Sequence, residues 1–286
     1  MPRRSVIHPY SMLVAYATFK RVQLSLIIMV EGPTAKAYAI KIRNELSGEI
    51  IREVFTKSKR VYISLDNLVG KRLLSSDSIG KNILLFIDNA AIRLHLMMYG
   101  SIHIYQLNEP LLKPESRVRL LIRGAEKKLV AYNAPIVEID ERDRILKKLR
   151  RDLGPDPLSD GWNREEAVRN IMKFPEEKIG VVILDQSVIA GIGNILRNEI
   201  LFRAKVNPEK KITDLSRREV ERIVSISEEL SREFLKFKLE HKRIKPLLFV
   251  YNKYRGKCRI CGAPIKFYMQ KPINRKTFIC PNCQKM

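Results

Sequence analysis

The apolar positions change period twice along the chain. After Met29 they are helical: Pro33 suits a helix start and Thr34 a cap, Tyr38, Ile42 and Leu46 recur at helical spacing, and Gly48 closes the stretch. From Glu49 to about Ile139 the runs shorten. Ile50, Val54 and residues 61–63 are followed by apolar runs at 83–87, 92–98, 102–107, 118–122 and 129–132. Asp-Asn, Tyr-Gly, Asn-Glu-Pro and Arg-Gly turns punctuate them. Several short strands at this spacing predict a sandwich or barrel. Residues 138–151 are then densely charged, and Gly154, Pro155 and Pro157 follow, which marks a domain boundary. Beyond it the pattern predicts helices at 165–173, 195–203 and 216–241. The expectation is a multidomain α+β chain. It has an N-terminal β-sandwich with a leading helix (29–140), a helical domain (141–245) and a small C-terminal module (246–286). Residues 1–28 contain no acidic residue, show no clear period and stand apart as an extension.

All four cysteines fall in the C-terminal module. Cys258, Cys261, Cys280 and Cys283 form C-x2-C-x18-C-x2-C. Each CxxC supplies two thiolates from one tight turn, and two such turns facing each other suit one tetrahedral zinc ion. Four thiolates leave no open coordination position, so the expected role is structural. With every cysteine so assigned, none is left for a disulfide, which points to a reducing, cytoplasmic compartment. The formal net charge is +23 and the pI about 10.0. From His241 to Met286 there are twelve Lys or Arg and no Asp or Glu. That balance calls for a polyanionic partner, with nucleic acid ahead of an anionic membrane surface. The most apolar early stretch, 11–30, is broken by Lys20 and Arg21, so neither half is long enough to span a bilayer.

The second distinctive segment is Leu184-Asp-Gln-Ser-Val-Ile-Ala-Gly-Ile-Gly-Asn-Ile-Leu-Arg-Asn-Glu199. It reads as a short helix capped by Asp185, a turn through Gly191 and Gly193, and a second helix capped by Asn194. Two readings stand. The glycines allow close backbone approach and leave helix N–H groups free for a phosphate, or the turn is an ordinary packing bend. The basic C-terminus favours the first.

At these residues the chain resembles the formamidopyrimidine-DNA glycosylase/endonuclease VIII family. The Asp-Gln…Gly-Ile-Gly-Asn-Ile segment resembles its helix–two-turn–helix, Asn274-Arg-Lys-Thr-Phe-Ile-Cys280 its zinc-finger hairpin, and Leu153-Gly-Pro-Asp-Pro-Leu-Ser159 its domain entrance. The similarity runs in order from residue 29 to 286. It implies a DNA repair enzyme that excises oxidised bases and then cleaves the strand as an abasic-site lyase. The partner is damaged duplex DNA, with tolerance for single strands, and the expected site is nucleoid-associated. The family's nucleophile is an N-terminal α-amine exposed by removal of Met and followed by a catalytic Glu. The matching segment is Met29-Val30-Glu31-Gly32-Pro33. Most relatives begin with Pro, whereas a Val start resembles the vertebrate endonuclease VIII-like branch.

An α-amine suits that task because it must be neutral to attack. Its reference pKa near 8, against about 10.4 for Lys, gives roughly a few hundred times more neutral amine at pH 7. Glu31 would protonate the sugar ring oxygen. An upstream extension would turn the Val30 nitrogen into an amide. The expectation is therefore that translation begins at Met29 or that processing frees Val30; otherwise the protein is a non-catalytic damaged-DNA binder.

Further roles follow from the resemblance alone. Lys81 matches the hairpin Lys near the lesion phosphate, and Met98 the wedge that fills the gap of the flipped base. Arg275 matches the zinc-hairpin Arg that grips phosphate, and Glu199 a helix Glu facing the active site. Two departures stand out: Thr34 replaces a second Glu, and 134–137 replace a loop carrying Arg and Phe. Losing those side chains favours oxidised pyrimidines over the formamidopyrimidine and 8-oxoguanine alternative. A monomer is expected. A zinc-ribbon protein of the ribosome or transcription machinery would explain the cysteines and charge, but not Glu31-Gly-Pro33 or the Gly191–Asn194 turn.

Overall fold

The computed structural model describes residues 30–286, so the expectation for residues 1–28 lies outside the described residues. A leading helix α1 (Gly32–Leu46) precedes nine strands: β1 (Glu53–Thr56), β2 (Arg60–Val61), β3 (Leu73–Ile79), β4 (Asn82–Ile87), β5 (Ala90–His95), β6 (Ser101–Gln106), β7 (Val118–Arg123), β8 (Lys127–Tyr132) and β9 (Ile136–Glu141). One sheet has the order β1-β7-β8-β6 and the other β2-β9-β5-β4-β3, in which β2 runs parallel to β9 and the remaining pairs are antiparallel. Alternation explains the layers. Ile83, Leu85, Ile87, Ile92 and Leu94 face Leu120, Ile122, Leu129 and Ala131 of the other sheet, and Ala35, Ala39, Ile42 and Leu46 of α1 join that core.

Leu84 and Ala91 face the opposite way, under Ile145 and Leu149 of α2 (Arg142–Asp152). The charged stretch that marks the expected domain boundary therefore ends a strand and forms a helix that packs on the sandwich. Residues 142–152 go with the N-terminal sheet rather than with the helical domain. Strand 92–98 also stops early, at His95, because Met97 to Gly100 turn the chain. Thr34 is no cap. The cap position of α1 belongs to Glu31, and the Thr34 hydroxyl is buried without a partner.

The helical domain contains α3 (Arg164–Met172), a single-turn α4 (Ile179–Val182), α5 (Asn194–Arg203) and α6 (Arg217–Leu239). Asn163 caps α3 through the Glu166 N–H, and Ser216 with Glu219 forms a capping box on α6. Val220, Ile223, Val224, Leu230 and Phe234 give α6 one apolar stripe, which packs on Ile171, Ile192, Leu196 and Ile200. The short helix expected after Asp185 is a run of turns. Asp185 Oδ1 accepts from Ser187 N–H and Oγ, each at 2.8 Å, and fixes a turn in place of a helix. The C-terminal module is a hairpin of β10 (Lys266–Gln270) and β11 (Arg275–Ile279) around Val250, Ile265 and Phe278. Among the described residues, no helix is long and apolar enough to cross a membrane.

Candidate functional site

The sandwich and the helical domain meet at Glu31. This residue is buried, one position ahead of α1, and its carboxylate crosses to the start of α5. Ile195 N–H donates to Oε1 at 2.7 Å and Leu196 N–H to Oε2 at 3.1 Å. Beside it the Gly32 N–H donates to Gly191 O at 2.9 Å. Such closeness requires glycine. A Cβ on Gly32 would lie 2.9 Å from Gly191 Cα, and one on Gly193 would lie 2.4 Å from Glu31 Cδ, while Gly191 has φ +90°. The Gly-Ile-Gly turn exists to admit residues 30–32. The helix N–H groups read as a phosphate site are thus occupied by Glu31. Gly193 takes the cap position of α5, and Asn194 is its first residue. Gln186 shapes the turn: its Oε1 accepts from Gly191 N–H at 3.0 Å, and its Nε2 donates to the carbonyls of Leu184 and Ile192.

Burial pushes the Glu31 carboxyl up from its ordinary range, against the pull of the Lys81 charge and of the Ile195, Leu196 and Gly193 N–H groups. Lys81 stands in the β3–β4 turn and donates to Ile192 O at 2.7 Å. Its own burial lowers its pKa to about 8, opposed by Glu31 and assisted by Arg275. The preceding Gly80 N–H donates to Asp156 Oδ2 at 2.7 Å, and Leu158 N–H to Asp156 Oδ1 at 2.8 Å. Asp156, between two prolines, is a second pin across the seam.

Val30 is buried, and its nitrogen donates to Met97 O at 3.1 Å. It lines an open cavity of about 870 Å³ with Thr34, Tyr38, Met98, Lys113 and Lys238. Met98 lies on the exposed turn after β5, and its side chain is 41% accessible, not a strand core. The same turn borders a second cleft that holds Arg117, Arg119 and Arg275, so Met98 stands between Val30 and the arginines. His95 positions this turn. Its Nδ1 accepts from Met97 N–H at 3.2 Å, and Met97 has φ 50°. Burial, then Lys81 and Arg93, push His95 down to about 4, which keeps the ring neutral.

The four cysteine sulfurs lie within 4.8 Å of one another. Three separations are 3.4 Å (Cys261–Cys280), 3.6 Å (Cys261–Cys283) and 3.9 Å (Cys258–Cys283). Sulfurs at about 2.3 Å from a tetrahedral zinc sit about 3.8 Å apart, so these thiols fit one such ion. The hairpin is stapled to α5. Arg197, fully buried, donates to the carbonyls of Gly180 and Lys276 and to Gln270 and Thr277 side chains. Asn194 Nδ2 donates to Lys276 O at 3.0 Å, and Asn198 accepts from Phe278 N–H at 2.7 Å. Glu199 does not face Val30. Its carboxylate accepts from the N–H groups of Phe249, Val250 and Tyr251, which anchors the chain entering the module.

The structure thus gathers Val30, Glu31, Lys81, Met98, Gly191, Gly193, Asn194 and Arg275 around one seam and leaves Glu199 outside it. Asp156, Arg197, Asn198 and Lys238 were missed. The signal for Arg197 and Asn198 was weak, because half of α5 is polar in sequence and only the structure shows that all of it except Arg203 is buried.

The formamidopyrimidine-DNA glycosylase N-terminal domain matches residues 29–135, and that enzyme's H2TH domain matches residues 153–248. The gap between them is the β9–α2 stretch. A "Probable endonuclease 8 2" of Streptomyces coelicolor is 27% identical over 90% of this chain and 94% of its own. A formamidopyrimidine-DNA glycosylase of Bacillus cereus is 28% identical over 90% of this chain and 99% of its own. In fold, the chain is similar to the Lactococcus lactis formamidopyrimidine-DNA glycosylase solved non-covalently bound to abasic-site DNA. The TM-score is 0.79 at 24% identity, over 90% of this chain and all of that one.

Proposed function

The chain belongs to the formamidopyrimidine-DNA glycosylase family, and on that premise we propose that it is a DNA glycosylase with abasic-site lyase activity. The observation that carries the reading is the pairing of consecutive residues at the seam. Val30 opens onto the larger cavity, and Glu31 is held beside it by the other domain. The functional chain begins at Val30, after removal of Met29. Its neutral amine attacks C1′ of the damaged nucleoside, and a C–N bond forms as the bond to the base breaks. Glu31, whose burial favours the protonated form, gives its proton to the sugar ring oxygen. One amine proton goes to the departing base and a protonated imine forms; the sugar C2′–H becomes acidic, and the strand breaks by β-elimination of the 3′-phosphate.

Lys81 and Arg275 supply positive charge to the flanking phosphates, and Met98 enters the gap left by the extruded base. One zinc ion on Cys258, Cys261, Cys280 and Cys283 holds the hairpin that presents Arg275. The protein works as a monomer. Oxidised pyrimidines are the preferred bases. The β8–β9 link supports this reading, because it is a tight connection with Ala134 buried and no long side chain to probe the opposite strand.

Borohydride trapping tests the proposal. The protein should form a covalent complex with abasic-site DNA through Val30, and native mass should correspond to a chain starting at Val30. Full lyase activity in a protein whose first residue is 1 or 2 would overturn the mechanism, and absence of trapping would leave a damaged-DNA binder. Equal excision of 8-oxoguanine opposite cytosine and of oxidised pyrimidines would overturn the substrate preference.

A further inference from the structure

The outer face of the C-terminal hairpin has no part in the chemistry above. β10 alternates. Tyr268 and Gln270 turn inward, to Glu209 and to Pro208 and Arg197, while Phe267 and Met269 turn outward and remain 42% and 40% accessible. Tyr254, 45% accessible, stands beside Phe267 with ring centroids 4.9 Å apart. Both rings lean on Phe278, at 4.9 and 5.1 Å, and Phe278 leans on Tyr251 at 5.5 Å. Tyr251 in turn feels the Glu31 charge and lies against Asn194. A continuous file of rings therefore runs from the seam to open solvent.

The loop that presents Tyr254 is strained. Asn252 and Arg255 on either side of it adopt φ 60° and 55°, a region that an Arg rarely occupies. Lys276 Nζ lies 5.8 Å from the centre of the Tyr254 ring. Lys253 and Arg255 flank Tyr254 in sequence, and Lys276 sits on the Phe267–Met269 face; none of the three has an ion pair among the described residues, and no acidic residue occurs from 241 to 286. Exposed apolar rings of this kind mark a binding surface. A protein partner calls for an apolar centre depleted of charge inside a polar rim. Rings inside a purely cationic rim match the stacking and phosphate needs of an unpaired nucleic acid strand.

We propose that Tyr254 and Phe267 form a stacking platform for unpaired DNA bases, with Lys253, Arg255 and Lys276 on the phosphates. Resting on the DNA-repair reading, it gives the protein a grip on a single strand leaving the cleft past Arg275.

Fluorescence anisotropy at fixed salt tests it on a blunt duplex with an abasic analogue, the same duplex with a tail of about eight thymidines at either end, and the oligothymidine alone. One tail polarity should tighten binding by about five- to hundredfold per stacked base. Tyr254→Ala and Phe267→Ala should each remove most of that gain, Tyr254→Phe should keep it, and blunt-duplex affinity and bound metal should stay within twofold. No gain from either tail in the wild type would overturn the platform, as would equal losses on tailed and blunt DNA in both Ala variants. If the blunt duplex is not bound, the repair reading fails. The oligothymidine then decides the platform alone, by binding that Phe267→Ala removes or by none.

Discussion

At the scale of single residues, burial sets the chemistry. Lys81 has its ordinary 10.5 brought to about 8 in the fold, so the folded chain binds its proton less tightly than the unfolded chain. Its contribution to stability therefore rises between pH 8 and 10.5 and is a penalty below that. Lys81→Met should be as stable as the wild type or more so at pH 7, by up to about 3 kcal/mol in a denaturant titration, while abasic-DNA cleavage falls sharply. Lys81→Arg, which stays charged, should move the alkaline limb of the pH–rate profile upward from about 8. His95 follows the same sign in a lower pH window. Held near 4 instead of 6.5, it stabilises the fold above pH 6.5, and that contribution is lost as pH falls toward 4. His95→Gln should flatten the stability curve in that window. The cysteines were legible because their spacing limits what they can do; Glu31 was legible only through the family resemblance, and the paired glycines left two readings open until Glu31 was seen to fill their turn. Asp156 and Glu199 were not legible, since their roles depend on N–H groups about 50 or more positions away in sequence.

At the scale of elements, hydrophobic alternation revealed the strands that carry it and missed two that do not. β3 reads Leu-Leu-Ser-Ser-Asp-Ser-Ile, yet Ser76 is buried because its hydroxyl donates to Leu84 O at 2.8 Å. β9 was hidden by its charges. Glu138 is buried only because Arg93 and Lys148 both pair with it, and that pairing holds its carboxyl below the usual range. α5 is the element on which most depends. Its first turn receives Glu31, and its inner face holds the hairpin. Gly193→Ala should displace Glu31 and lower cleavage at least a hundredfold with DNA affinity nearly kept, which parallel rate and binding measurements would show. Arg197→Ala removes four hydrogen bonds, leaves the Gly180, Gln270 and Thr277 acceptors without that donor while Lys276 O keeps Asn194, and should cost at least about 3 kcal/mol in thermal unfolding.

At the scale of the molecule, charge and metal decide DNA affinity. A chain of +23 should lose affinity linearly in log–log plots against salt, with a slope near 0.9 per phosphate contact. Removing metal from the four-cysteine site, or Cys261→Ser, should weaken DNA binding first and, on the proposed mechanism, leave a Val30 α-amine open to chemical labelling. Domain number and order were readable from the changes in period and composition. The joint was not, because it is made by backbone atoms whose partners lie more than a hundred positions apart. That joint also defines what can be exchanged between relatives. A sandwich grafted onto another member's helical half would carry residues 30–32 but present Glu31 to a foreign loop. The unit that must travel together is discontinuous: residues 30–32, 80–81, 154–158 and 186–196. Recombination should therefore be tolerated within either core and punished where a crossover parts these four short pieces.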